Sequence, residues 1–295
     1  MTDMIVLTIG LAVFVGVALG LLGGGGSILT VPLLAYVAGM DAKQAIATSL
    51  LVVGVTSAIG AVSHARAGRV QWRTGLIFGA AGMAGAYGGG LLARFIPGSV
   101  LLIGFAVMMI ATAIAMLRGR KNIEVTDEAH RMPVPKIVAE GLVVGLVTGL
   151  VGAGGGFLVV PALALLGGLP MPVAVGTSLI VIAMKSFAGL GGYLSSVQID
   201  WAVAGAVTAA AVMGTLLGAR LTAKVDPDAL RKSFGWFVLA MSSVILAQEI
   251  HPGVGIAAAA LTAVAAAMTF ACTRFAHCPL RRLIAAPGSR PAAAS

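Results

Sequence analysis

Long apolar runs alternate along this chain with short polar interruptions. Runs free of acidic residues, and all but one free of basic residues, cover positions 44–63, 74–93, 98–117, 172–195, 202–219, 233–248 and 253–273. A helix needs about 20 apolar residues to cross a bilayer core of ~30 Å. The seven runs therefore predict seven membrane-spanning helices. Two further apolar stretches, 4–38 and 137–166, are interrupted by glycine clusters. The one sizeable polar loop runs from Arg118 to Lys136.

Composition agrees with that pattern. Of 295 residues, 59% are hydrophobic and 10% charged, and 41 are glycine. A soluble domain carries about 25% charged residues. Too few polar groups remain to cover a water-facing surface, which excludes a soluble enzyme, a disordered chain and a disulfide-stapled secreted domain. Cys272 and Cys278 have only His277 close by, so they read as incidental thiols, with no metal site and no cofactor. Asp3 and the absence of Lys or Arg before an apolar run reaching Leu22 argue against a secretory signal.

The chain repeats itself at an offset of 129 residues. Gly20, Leu21, Gly23, Gly25, Gly26, Leu29, Val31 and Pro32 match Gly149, Leu150, Gly152, Gly154, Gly155, Leu158, Val160 and Pro161. Thr48, Ser49, Leu50, Ser57, Gly60 and Trp72 match Thr177, Ser178, Leu179, Ser186, Gly189 and Trp201. About 19 of about 53 gap-free positions are identical, and shared Pro, Thr-Ser and Trp at one offset mark a duplication.

Charge decides how the halves are oriented. Suppose each glycine-broken stretch enters and leaves on one side, as a re-entrant hairpin. Each half then has three full crossings, an odd number, and the second half is inverted. On that arrangement about 16 of the 19 basic residues lie on one side, and only Lys43 and Arg94 lie on the other. Counting each broken stretch as a full crossing splits them about 8 to 10, against the positive-inside rule. The expectation is an all-α polytopic membrane protein of two inverted-topology repeats, each a glycine-broken helical hairpin plus three transmembrane helices, with one extra C-terminal helix. The first repeat is 1–117, the cytoplasmic connector 118–136, the second repeat 137–248 and the extra transmembrane helix 249–275. The cytoplasmic tail, 276–295, is rich in Pro, Ala and Arg and expected to be disordered. The N-terminus lies outside.

The glycine breaks are the strongest chemical signal. Unpaired backbone groups persist at membrane depth only inside protein or beside a wet cavity, and breaks at matching positions of two inverted halves point to a transport site. A half-helix beginning near Ser27, and another near Phe157, would present free N–H groups and the positive end of its dipole. Together they suit an anion. The backbone of Gly25, Gly26, Ser27, Gly154, Gly155 and Gly156 is thus the first set of candidate substrate ligands. Glycines such as Gly89, Gly90 and Gly218 read as close-packing positions. Lys185 is the ionisable residue deepest in a run, about 13 residues from Pro172, and a charge there is a functional candidate by default. All ten acidic residues fall near run ends or loops, so no carboxylate is expected at its depth. The hydroxyls of Thr48, Ser49, Thr177 and Ser178 can donate to an oxyanion or bond across helices. Ser57 and Ser186 are weaker candidates of the same kind. Trp72 and Trp201 read as interface anchors, His64 as a solvated helix end, and Met108-Met109 as packing.

The glycine-rich break followed by proline, present in both halves and joined by Thr-Ser-Leu at Thr48–Leu50 and Thr177–Leu179, resembles the TauE/SafE sulfite exporter family over roughly residues 5–248. The resemblance implies a multi-pass bacterial inner-membrane transporter of sulfur-containing anions such as sulfite or sulfonates, moved in or out. Cysteine-dependent thiosulfate importers do not fit, because no Cys lies in the core. The partners expected are a small anionic substrate and the lipid bilayer, without nucleic acid; a homodimer stays open. An inside-negative potential favours anion exit by about 2.3 kcal/mol per charge per 100 mV, so export needs no coupling ion. An anion channel and an importer of a sulfonate or other organic anion are the alternatives. An intramembrane enzyme would need a nucleophile–base pair at depth. Lys185 and Ser186 are adjacent on a helix and do not face each other, so no catalytic residue is assigned.

Overall fold

The computed structural model describes residues 2–22, 28–118, 134–152, 159, 163, 171–221 and 227–274. The described chain is all-helical. Its helices are α1 Thr2–Leu22, α2 Thr30–Pro32 (continued by the π-helical turn Leu33–Val37), α3 Ala42–Arg66, α4 Trp72–Ala93 and α5 Gly98–Arg118. They continue with α6 Val134–Val151, α7 Met171–Leu194, α8 Trp201–Leu221, α9 Pro227–Glu249 and α10 Pro252–Arg274. Each of the seven apolar runs is one of these helices. Four helical stretches are both long and apolar enough to cross a membrane on the residues described: Ala42–Arg66, Trp72–Ala93, Val173–Leu194 and Trp201–Gly218. Most of the connector (119–133) and the tail after Arg274 lie outside the described residues.

Local chemistry sets the helix ends. The Asp200 carboxylate accepts the N–H groups of Ala202 and Val203 at 3.0 and 3.2 Å, capping the free donors at the start of α8. Gly39, Gly68 and Gly152 have φ near +70°, a left-handed conformation that ends a helix without a Cβ clash. Gly68 ends the turn after α3, and Gly152 ends α6. Large apolar side chains such as Val107, Val143, Met213 and Leu261 face outward, as a lipid-facing exterior requires. Trp72 and Trp201 are exposed in the first turns of α4 and α8.

Glycines let the helix backbones touch. A Cβ on Gly85 would strike the Leu142 carbonyl, and one on Gly89 the Leu146 carbonyl, so α4 and α6 pack side by side in the same direction. A Cβ on Gly214 would strike the Val13 carbonyl, and one on Gly218 the Val17 carbonyl, so α1 and α8 do likewise. Subtracting 129 from the larger numbers and adding it to the smaller turns the first set of contacts into the second. Helix boundaries follow the same rule: α3, α4 and α5 start at 42, 72 and 98, and α7, α8 and α9 at 171, 201 and 227.

The two central helices pair with each other. Gly54 packs on the Phe187 ring, Gly60 on Leu179 and Gly189 on Leu50. Rising numbers on α3 meet falling numbers on α7, so these helices are antiparallel. By the same test α4 and α7 are parallel, with Gly75 on Thr177, Gly79 on Met184 and Gly90 on Tyr193. At one end of the bundle the Lys43 ammonium donates to the Arg94 carbonyl at 3.1 Å. The Gln44 amide donates to the Gln198 carbonyl at 3.0 Å. A cleft of about 610 Å3 opens there, lined by residues including Asp41, Lys43, Gln44, Ser99 and Gln198. Arg66, Arg69 and Arg73, around the α3–α4 turn, mark the opposite end.

Candidate functional site

The six candidate residues of the glycine breaks, Gly25, Gly26, Ser27, Gly154, Gly155 and Gly156, lie outside the described residues. Their flanks are described. Helical structure begins at Ile28, and Ile28 to Leu34 are buried. This short arm packs against α1 and α3. Its Thr30 side chain is buried, and Oγ1 has no hydrogen-bond partner. Thr48 on α3 is likewise buried with an unpartnered Oγ1. Repeat logic passes over Thr30, because its counterpart 129 residues later is Val159.

The last turn of α6 gathers two further candidates. Lys185, only 1% exposed, donates from Nζ to the Thr148 hydroxyl at 3.2 Å. The Thr148 hydroxyl in turn donates to the carbonyl of Val144 at 2.7 Å. Four residues on, about 6 Å of helical rise, the Gly152 carbonyl accepts the Ser49 hydroxyl at 3.2 Å. The end of α6 thus holds a hydroxyl from α3 and the Lys185 amino group from α7, just before the second glycine break. The stem of Lys185 reaches it past Gly82, where a Cβ would sit 3.9 Å from the lysine Cβ. Thr148 escaped the sequence because its counterpart is Leu19; only helix packing makes it the lysine's partner.

Thr177 and Ser178 stand elsewhere. Their neighbour Leu179 packs on Gly60, 12 residues along α3 from Thr48, or about 18 Å of rise. The Thr177 hydroxyl oxygen accepts the Gln71 N–H at 2.9 Å, and Ser178 donates to the Val175 carbonyl at 2.8 Å. The two Thr-Ser pairs therefore do not converge. Thr48-Ser49 lies on the Lys185 side, while Thr177-Ser178 serves the α3–α4 turn. His64, expected to be a solvated helix end, is only partly exposed, with Nδ1 buried and unpartnered.

One acidic residue departs from its expected position. Helix α6 begins at Val134, before the apolar run, so Glu140 lies nearly two turns inside it. Its neighbour Gly141 packs on Phe78, Ala81 and Gly82, the same stretch of α4 that Lys185 passes. Glu140 is thus at the depth where no carboxylate was expected. Its Oε2 is buried without a hydrogen-bond partner. Among the described residues no group of three or more His, Cys, Asp or Glu is placed to hold a metal ion.

Residues 8–245 match the family model described as "Sulfite exporter TauE/SafE". A probable membrane transporter protein of Xylella fastidiosa is 36% identical over 82% of this chain and 95% of its own length. Probable membrane transporter proteins of Methanocaldococcus jannaschii and Bacillus subtilis are 29% and 28% identical, over 75% and 78% of this chain and 89% and 95% of their own lengths. No solved structure matches the chain. A bundle of apolar helices built on a tandem glycine–proline pattern, matched to this model over most of its length, belongs to the TauE/SafE sulfite exporter family of membrane transporters.

Proposed function

We propose that the protein exports a small sulfur-containing oxyanion, such as sulfite or an organosulfonate, by alternating access around a buried anion site. The observation that carries this reading is Lys185. Its ammonium is buried mid-helix, rests on a neutral hydroxyl, and forms no ion pair with a described carboxylate. A charge so placed is costly without a counter-ion, and an anionic substrate supplies one. Thr48 and Ser49 lie on the same side of the bundle, and the glycine breaks add backbone donors.

Inverted repeats are part of the proposal. The antiparallel α3–α7 pair and the parallel α1–α8 and α4–α6 pairs support it, since each helix then runs opposite to its counterpart. So does the separation of Arg66, Arg69 and Arg73 from Lys43 and Arg94 at opposite ends of the bundle. The positive-inside rule puts the first group on the cytoplasmic side of a bacterial inner membrane. The N-terminus is then outside and the C-terminus inside. Rocking one repeat against the other exposes the site to each side in turn.

The test is labelled sulfite flux in proteoliposomes with Lys185→Ala. The expected result is loss of saturable flux; unchanged flux and affinity would remove Lys185 from the site. Saturable counterflow in the wild type separates a transporter from a channel.

A further inference from the structure

Serine and threonine in buried helices ordinarily donate back to a carbonyl three or four residues earlier. Thr56, Thr148, Ser178, Thr215, Ser242 and Ser243 all do so here. Ser57 and Ser186 do not. Both are at least 98% buried, and neither Oγ has a hydrogen-bond partner. They are also counterparts in the repeat, 129 residues apart.

Their position is specific. On α3, Leu50 and Gly54 touch α7, and Ser57 continues that face at the next helical step. On α7, Leu179, Phe187 and Gly189 touch α3, and Ser186 lies within that face. The register of the crossing sets Ser186 opposite Gly54 and Ser57 opposite Ala183, so each hydroxyl faces a small residue. The serines are about three residues, or ~4.5 Å, apart along the crossing. The α3–α7 pair joins repeat counterparts, as does α5–α9, where Gly235 packs on Leu117; among the described residues, only α3–α7 has unpartnered hydroxyls at matching positions of both members. Lys185 is about 100° round the helix from Ser186 and turns to α4 and α6 instead.

We propose that Ser57 and Ser186 are a paired hydroxyl site for the transported oxyanion, one donor from each half, on the axis relating the two repeats. The inference rests on the transport reading above and adds a site at the α3–α7 crossing. Leaving two hydroxyls unpaired in a buried helix interface is unfavourable, and a hydroxyl is well suited to donate to an anionic oxygen. Substrate sites of repeat-built transporters lie at the interface between repeats near the midplane.

The experiment titrates the purified full-length protein with sodium sulfite, reading melting temperature and calorimetric heat, for wild type, Ser57→Ala and Ser186→Ala. Each variant is expected to raise the sulfite midpoint about tenfold or more, the usual worth of a hydrogen bond to a charged group. The ligand-free melting temperature should hold or rise, because each removed hydroxyl has no partner. Should an Ala variant not fold, Ser57→Cys or Ser186→Cys, of similar volume and with only a weak donor, should likewise raise the sulfite midpoint, and an unchanged midpoint counts against the proposal in the same way. Unchanged midpoints in both variants overturn the proposal while leaving the transport reading intact. A response that follows sodium in N-methylglucamine controls, and not sulfite, overturns it in favour of a cation site. No response of the wild type to sulfite, sulfate, thiosulfate or taurine removes the oxyanion reading, and this inference with it.

Discussion

Replacing Thr148 by Val removes the hydroxyl on which the Lys185 ammonium rests while keeping the side-chain volume. The Nζ–Oγ1 distance of 3.2 Å is at the long end of the N–H···O range. Hydrogen bonds to charged groups contribute about 1.5–3 kcal/mol, so the low end, about 1.5 kcal/mol, is the appropriate figure. The Val144 carbonyl keeps its helical bond, and its loss of the threonine proton adds little. The ligand-free protein bears that loss in full. With an anion bound, the ammonium has a new partner and the loss is smaller. Thr148→Val should therefore lower the ligand-free melting temperature and tighten sulfite binding by up to about tenfold. The assay is a sulfite titration of the melting temperature, with Thr148→Ser, which retains the hydroxyl, as the reference. Stability and affinity falling together in Thr148→Val would refute the reasoning, since Lys185 would then not exchange its hydroxyl for the anion.

Gly85→Ala and Gly214→Ala, whose new methyl groups would strike the Leu142 and Val13 carbonyls, should each destabilise the protein by about 1–3 kcal/mol or more. Gly88→Ala, with open space around its Cβ position, should be neutral or stabilising by up to about 1 kcal/mol; equal melting temperatures for all three would refute the packing. Ser49→Ala breaks a buried bond between helices and should cost about 1 kcal/mol. Ser178→Ala breaks only a bond to its own helix and should cost less in the same denaturation series. With Cys272 and Cys278 changed to Ser, a cysteine at position 94 should react with a membrane-impermeant maleimide added to intact cells. One at position 69 should not, and the reverse pattern would invert the proposed topology. Efflux driven by potential alone predicts that Glu140→Gln leaves flux dependent on imposed voltage. A specific loss of flux driven by a pH gradient would establish proton coupling through that carboxylate instead.

The sequence by itself located the helices and the duplication. Apolar runs, Gly, Pro and the Thr-Ser-Leu tripeptides are local features, and a bilayer leaves a buried backbone little choice but helix. The Lys185 position was legible for the same reason, as one charge in a long apolar run. Hydrogen-bond partners were not legible, because they depend on which helices touch and in which direction. The repeated Thr-Ser pairs look alike in sequence. Yet packing sends Ser49 across to the Gly152 carbonyl and ties Thr177 to the α3–α4 turn. Tertiary structure alone supplied Thr148 to Lys185, set Glu140 at the depth of that lysine, and left Thr30, Ser57 and Ser186 buried without partners. Each depends on where a neighbouring helix starts or crosses, a long-range matter of glycine-to-carbonyl contact that no window of sequence contains.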